Sequence, residues 1–102
     1  MNALVKNKIT DLARICSKHR VSRLELFGSA VVGDFDPERS DFDFLVDFRR
    51  EKEINAADQY FGLLEDLEAL FERHIDLIET GAMHNPYFIR RVNESRTLIY
   101  AA

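Results

Sequence analysis

Residues 41–48 constrain the fold of this chain more than any other segment. Acidic and apolar side chains alternate there, in the order Asp-Phe-Asp-Phe-Leu-Val-Asp-Phe. Successive side chains of a β-strand point to opposite faces. One face would carry Phe42, Phe44, Val46 and Phe48, and the other Asp41, Asp43, Leu45 and Asp47. The segment therefore predicts a strand whose apolar face is packed and whose other face is largely acidic.

The other elements are predicted from apolar spacing and capping residues. Asn85 followed by Pro86 is typical of a helix start. The predicted helices cover residues 3–18, 29–33, 55–73 and the segment from 85, and the predicted strands cover residues 21–27, 41–48, 74–79 and 97–100. The buried stripe of the long helix is expected to contain Phe61, Leu64, Leu67, Leu70 and Phe71. This order predicts an α+β (mixed α/β) fold, with a small mixed β-sheet and helices packed on one face.

Length and composition indicate one globular domain, residues 1–102. The chain is 46% hydrophobic and 31% charged, as in ordinary globular proteins. A domain of this size gains stability by docking, so a hetero-oligomer or a homodimer is expected. No apolar run reaches the roughly 18 residues of a membrane span, and the N-terminus lacks a signal-peptide pattern. The single cysteine, Cys16, excludes an internal disulfide, and we expect a cytoplasmic protein.

Charge is distributed unevenly along the chain. The net charge is −4, yet residues 1–23 carry six Lys or Arg residues against Asp11 alone. The acidic remainder argues against a dedicated nucleic-acid binder, since phosphate backbones favour clustered positive charge. The basic segment is either a solvated face or a surface that attracts a polyanion such as ATP or RNA.

Asp41 and Asp43 are candidate metal ligands. Residues i and i+2 of a strand lie about 6.5–7 Å apart on one face. Two carboxylates about 4 Å apart repel by roughly 4 kcal/mol at an effective dielectric near 20, and a cation would offset this repulsion. Such oxygen ligands suit Mg²⁺ or Mn²⁺. The alternative is an edge strand whose solvent face is acidic.

Two further features support a site for phosphate and metal. Gly28 and Ser29 follow a predicted strand and open a short helix, where glycine permits close approach, amides point at an anion and the serine hydroxyl can bond phosphate oxygen. Asp76 lies within Ile-Asp-Leu-Ile, where an unpaired buried carboxylate would be costly. If the strands are neighbours, Asp76 joins the cluster and can accept the proton of an attacking hydroxyl. The alternative is a carboxylate on a half-exposed sheet face.

These motifs together resemble the signature of the polymerase β-type nucleotidyltransferases, and most of all the minimal nucleotidyltransferase (MNT) domain of bacteria and archaea. The matching segments are Leu-Phe-Gly-Ser at 26–29, Gly-Asp at 33–34, residues 40–46 and His-Ile-Asp-Leu-Ile at 74–78. The resemblance implies two Mg²⁺ ions, with Mn²⁺ as an alternative, and transfer of NMP from an NTP to a hydroxyl. It implies that Asp41 and Asp43 bind both metals, that Asp76 serves the catalytic metal, and that Gly28 and Ser29 hold the triphosphate.

The resemblance also implies a partner. Members of this branch commonly pair with a HEPN-domain RNase toxin and act as its antitoxin by attaching AMP, taken from ATP, to a toxin tyrosine. Two further hypotheses are a non-catalytic antitoxin that neutralises its partner by docking, and transfer to a small molecule. The second ranks last, because such enzymes generally carry an added helical domain.

This sequence departs from the family pattern beside the predicted phosphate site. Relatives usually carry an arginine after Gly-Ser, whereas Ala30, Val31 and Val32 stand here. The spacing to Asp41 is also one residue longer than is typical. Arg39 is the candidate for the absent charge at the nucleotide. The histidines at 19, 74 and 84 form no zinc-binding pattern.

Overall fold

A four-stranded mixed sheet organises the described part of the chain. The computed structural model describes residues 2–32, 36 and 41–102. The strands are β1 (Val21–Phe27), β2 (Phe42–Phe48), β3 (Ile75–Glu79) and β4 (Thr97–Ala101), in the spatial order β3-β2-β1-β4. β1 is antiparallel to β2 and β4, whereas β2 and β3 are parallel. The small mixed sheet predicted from the sequence is confirmed.

The helices begin close to the predicted positions. They are α1 (Ala3–Lys6), α2 (Ile9–Lys18), α3 (Ser29–Val32), α4 (Ala56–Phe71) and α5 (Pro86–Ser95), with a 3₁₀ turn at Thr80–Ala82. The side chain of Asn85 accepts hydrogen bonds from the backbone N–H groups of Tyr87 and Phe88, which confirms the predicted helix start. The single helix predicted for residues 3–18 is wrong, because Lys8 leaves the helical conformation between α1 and α2.

The main core lies between the sheet and helices α2 and α4. Phe42, Phe44 and Val46 are fully buried there, as the alternation predicts. The predicted stripe of α4 is wrong at Phe61, which is 59% exposed. The buried residues of α4 are instead Gln59, Leu63, Leu67 and Phe71. At about 100° per residue, Phe61 lies roughly 200° from Gln59 and so on the opposite side of the helix.

Helix α5 covers part of the other face of the sheet. Val92 packs there against Phe27 and Leu45, with Phe88 at their edge. The rings of Phe27 and Phe88 meet edge to face at 6.1 Å. α5 therefore adds a second, smaller apolar layer on the face that also bears the aspartates of β2.

None of the helices in the described ranges combines the length and the hydropathy that crossing a bilayer requires.

Candidate functional site

The parallel pairing of β2 and β3 brings the predicted acidic residues together. Asp43 and Asp76 are direct partners across the two strands and so lie side by side on the same face. Asp41 immediately precedes β2, two residues before Asp43. Because β2 has β1 and β3 on either side, the alternative of an acidic edge strand is wrong. Asp76 is on the edge strand, with its side chain 49% exposed.

The surroundings of Asp43 disfavour the ionised form of its carboxyl group. Its partial burial, together with the neighbouring carboxylates of Asp76 and Asp41, raises its pKa from 3.8 to about 6. Burial is the largest cause, followed by the hydrogen bond with Asp76. A carboxylate in this setting gains from any cation that approaches it.

The donor set of this site fits a divalent cation. One ligand atom from each of Asp41, His74 and Asp76 lies within 4.8 Å of the others, and all three side chains are open to solvent. Asp43 adds a carboxylate beside Asp76. Carboxylate oxygens together with water and phosphate oxygens are the ligands that Mg²⁺ and Mn²⁺ take in proteins.

Gly28 is required by the close approach of Asp43. Its φ of +77° is strained for other residues, and a Cβ placed on it would lie 2.6 Å from Oδ2 of Asp43. The N–H of Gly28 donates to Oγ of Ser95, at 2.9 Å. Gly28 thus lets the β1–α3 turn pack against the acidic group, while its amide fixes the end of α5.

A cleft of about 580 Å³ joins these residues. Its lining includes Gly28 and Ser29 from the β1–α3 turn, Asp43 from β2, His74 and Asp76 from the start of β3, and Phe88 and Arg91 from α5. This volume lies in the range of roughly 300–1,000 Å³ that is usual for small-molecule sites. Apolar and ionic side chains therefore line the same cleft.

Arg91 lines the cleft but was not among the residues predicted from the sequence. It lies three residues after Phe88 and four before Ser95, on the side of α5 that faces the β1–α3 turn. Arg39, the predicted source of positive charge, lies outside the described residues, as do Gly33, Asp34 and Ser40. The spacing of Arg91 from Phe88 could have shown that the two side chains share one face of α5. That spacing does not show which face of α5 packs on the sheet.

Comparison with known proteins decides the family. The sequence model of the Nucleotidyltransferase domain family matches residues 9–99. The chain belongs to the nucleotidyltransferase domain family. Two relatives from Methanocaldococcus jannaschii, both provisionally named protein adenylyltransferases, support this conclusion. One is 36% identical over 83 residues, which span 81% of this chain and 79% of the relative. The other is 32% identical over 99 residues, which span 92% and 95%.

Solved structures share the nucleotidyltransferase fold. A provisionally named minimal nucleotidyltransferase superposes with a TM-score of 0.72 at 24% identity, over 90% of this chain and 89% of that one. A toxin–antitoxin structure with AMP-PNP gives 0.68 at 15% identity, over 92% and 73%. A tri-AMPylated HEPN toxin of Shewanella oneidensis in complex with its MNT antitoxin gives 0.61 at 19% identity, over 100% and 74%. These structures confirm the fold expected from the sequence, and the family match together with the two relatives confirms the expected enzyme class.

Proposed function

We propose that this nucleotidyltransferase transfers AMP from ATP to a tyrosine hydroxyl of a HEPN-family partner toxin and so acts as its antitoxin. The observation that carries the proposal is the pairing of Asp43 with Asp76 beside Asp41, at a cleft that also contains Ser29 and Arg91. The acidic group favours cations, and the Ser29 hydroxyl and the Arg91 guanidinium in the same cleft are donors for phosphate. The names of the two Methanocaldococcus jannaschii relatives support protein as the acceptor.

The acidic residues divide between two roles in this proposal. Asp41 and Asp43 would hold two Mg²⁺ ions, with Mn²⁺ as an alternative, and Asp76 would serve the catalytic one. When bound, the cations offset the charge of the triphosphate and favour the alkoxide form of the acceptor hydroxyl. Asp76 takes the hydroxyl proton as the acceptor oxygen bonds to the α-phosphorus and the bond to pyrophosphate breaks.

In this proposal the phosphates are held by Ser29 and Arg91, which line the cleft together with the acidic residues. The hydroxyl of Ser29 donates to a phosphate oxygen, next to the turn that Gly28 makes possible. Arg91 supplies the positive charge that the family carries directly after Gly-Ser and that Ala30 and Val31 lack here. A guanidinium can form two parallel hydrogen bonds to a phosphate, so an arginine from α5 can serve in place of one from α3.

A second candidate function is a binding module that neutralises its partner by docking without AMP transfer. Tyr87, at the start of α5, is 77% exposed, and exposed aromatic side chains are enriched at protein interfaces. Phe88, beside it, packs on Phe27 and is not part of that surface. The exposed ring of Tyr87 is therefore the feature that favours this alternative.

Transfer of label from α-³²P-ATP to the co-purified partner toxin distinguishes the two functions. We expect Asp43→Asn to reduce labelling by about 10³-fold, because it removes a ligand charge that stabilises the transition state. Asp47→Asn is the matched control, since Asp47 lies on the same face of β2 but outside the cleft. Full labelling by Asp43→Asn would exclude the proposed site, and a tight complex without label would favour the binding module.

A further inference from the structure

His74 lies directly before β3 and faces two of the carboxylates of the proposed cation site. Its Nδ1 is 3.3 Å from Oδ2 of Asp41 and 3.7 Å from Oδ1 of Asp76. The histidine side chain is 62% exposed, so the ring is open to solvent as well as to the carboxylates. The family resemblance assigns metal binding to the three aspartates and assigns nothing to this ring.

We propose that His74 is a nitrogen ligand of the cation site and makes the site prefer a divalent transition metal, with Mn²⁺ as the probe, over Mg²⁺. The proposal rests on the proposed function only in taking Asp41 and Asp76 as cation ligands. A neutral imidazole can bind a metal through Nδ1 without moving far, since one donor atom from each of the three residues already lies within 4.8 Å of the others.

The preference follows from the chemistry of the donor atoms. Mg²⁺ takes oxygen ligands almost exclusively and keeps several waters, so an imidazole adds little to its binding. Transition metals bind imidazole nitrogen more readily than Mg²⁺ does, and Mn²⁺, although it mainly takes oxygen ligands and is the weakest binder of the first-row series, can combine a nitrogen with carboxylate oxygens. A site of two carboxylates and one imidazole therefore gains more affinity for Mn²⁺ than for Mg²⁺ from the same ring.

A competing explanation is that His74 serves only as a charged partner of the two carboxylates. An imidazolium in that place would offset their repulsion and would have no lone pair for a metal. In that case removing the ring would change the affinities for Mn²⁺ and Mg²⁺ by the same factor, because only charge is lost. The two explanations thus differ in a measurable ratio.

The test uses the full chain without nucleotide or partner. Free Mn²⁺ is measured by electron paramagnetic resonance during titration, Mg²⁺ is measured by competition, and bound nitrogen is detected as ¹⁴N modulation of the Mn²⁺ spin echo. We expect His74→Ala to abolish the ¹⁴N modulation, to weaken Mn²⁺ binding by about tenfold or more, and to change Mg²⁺ binding by less than about twofold. His84→Ala, at an exposed histidine outside the cluster, is the matched control and keeps the wild-type values.

The outcomes also separate this proposal from the proposed function. Absence of ¹⁴N modulation in the wild type, or an equal change in both affinities, overturns the role of His74 even if AMP transfer proceeds with Mg²⁺. Modulation that depends on His74 in a protein that transfers no AMP supports the metal assignment and counts against the transferase proposal. A thermal unfolding curve for His74→Ala that matches the wild type shows that the loss is not one of folding, as expected for an exposed side chain.

Discussion

Glu25 and Asp43 are two carboxylates on the same face of neighbouring strands, yet their surroundings are opposite. Glu25 is 3% exposed and accepts hydrogen bonds from Arg96, at 2.9 and 2.6 Å, and from Arg23, at 3.0 Å. These bonds, those from Arg96 first, lower the pKa of Glu25 below its usual value. Asp43 has carboxylates beside it, and its pKa is raised to about 6. The charge of Glu25 is thus offset by arginines of the chain itself, whereas the neighbours of Asp43 disfavour its charged form.

Helix α5 and the residue that follows it connect the two regions through two arginines. Arg96, which directly follows α5, forms the ion pair with Glu25. Arg91, within α5, lines the cleft that holds Asp43. One arginine is therefore used for stability, and the other is available to a ligand. If this interpretation holds, substitutions in the two regions should change different properties of the protein.

The largest stability effect is expected for Glu25→Gln. Removing the charge leaves Arg96 and Arg23 beside a neutral, nearly inaccessible amide. We expect the free energy of unfolding to fall by about 2–3 kcal/mol, a value reduced from the fully buried case because both arginines are partly exposed. For a domain of about 100 residues this lowers Tm by roughly 10–20 °C in a calorimetric scan. A Tm within a few degrees of the wild type would mean that Glu25 contributes no more to the stability of the fold than Asp43 does.

Arg91→Ala should affect nucleotide binding and leave stability nearly unchanged. Loss of a charge-assisted hydrogen bond to phosphate costs about 1.5–3 kcal/mol, so we expect KM for ATP to rise by roughly 10–100-fold. Arg90→Ala is the matched control, because Arg90 is the adjacent exposed arginine and does not line the cleft. Equal KM values for the two variants would show that α5 supplies no charge to the nucleotide.

Asp43→Asn in metal-free protein is expected to give the smallest of these effects. At neutral pH it should raise the free energy of unfolding, whereas Glu25→Gln lowers it. Because the pKa of Asp43 is raised above its unfolded value of 3.8, its stabilising contribution is complete below that pH and is lost as pH rises through about 6. Between about pH 4 and pH 7 we expect the wild type to lose of the order of 1 kcal/mol relative to Asp43→Asn, with solvent screening included.

Urea unfolding with a chelator, at a series of pH values, measures this difference. Glu25 provides the contrast, because its lowered pKa means that its contribution is present above 4.5 and is lost only as pH falls below that value. Parallel curves for the wild type and Asp43→Asn across the range would contradict the electrostatic difference between the two carboxylates.

The sequence predicted the acidic group well because strand geometry repeats every two residues. Alternation in residues 41–48 places Asp41 and Asp43 on the face opposite the phenylalanines, and the structure agrees. The direct pairing of Asp43 with Asp76 could not be predicted, because it depends on which strand lies next to β2 and in which register. The local pattern therefore identified which residues share a face, but it could not give the distances between them.

Other features depended on tertiary packing and were missed or wrong. Phe61 was expected in the core, but the phase of α4 is set by Leu63 and Leu67 where they meet the sheet. Arg91 is more than sixty residues from Gly28 in sequence, and no local motif connects them. His74 appeared unremarkable when judged by zinc-type spacing, because its partners come from the start of another strand.

The register between β2 and β3 links the position of the acidic residues to the packing of the core. Were β3 to shift by one position, Asp76 would turn into the apolar layer, and Ile75 or Leu77 would turn toward Asp43. An insertion or deletion in that strand would therefore disturb the packing of the core and the position of Asp76 together. A variant of this kind is expected to lose stability as well as the acidic pair, whereas a substitution of Asp76 alone removes only the carboxylate.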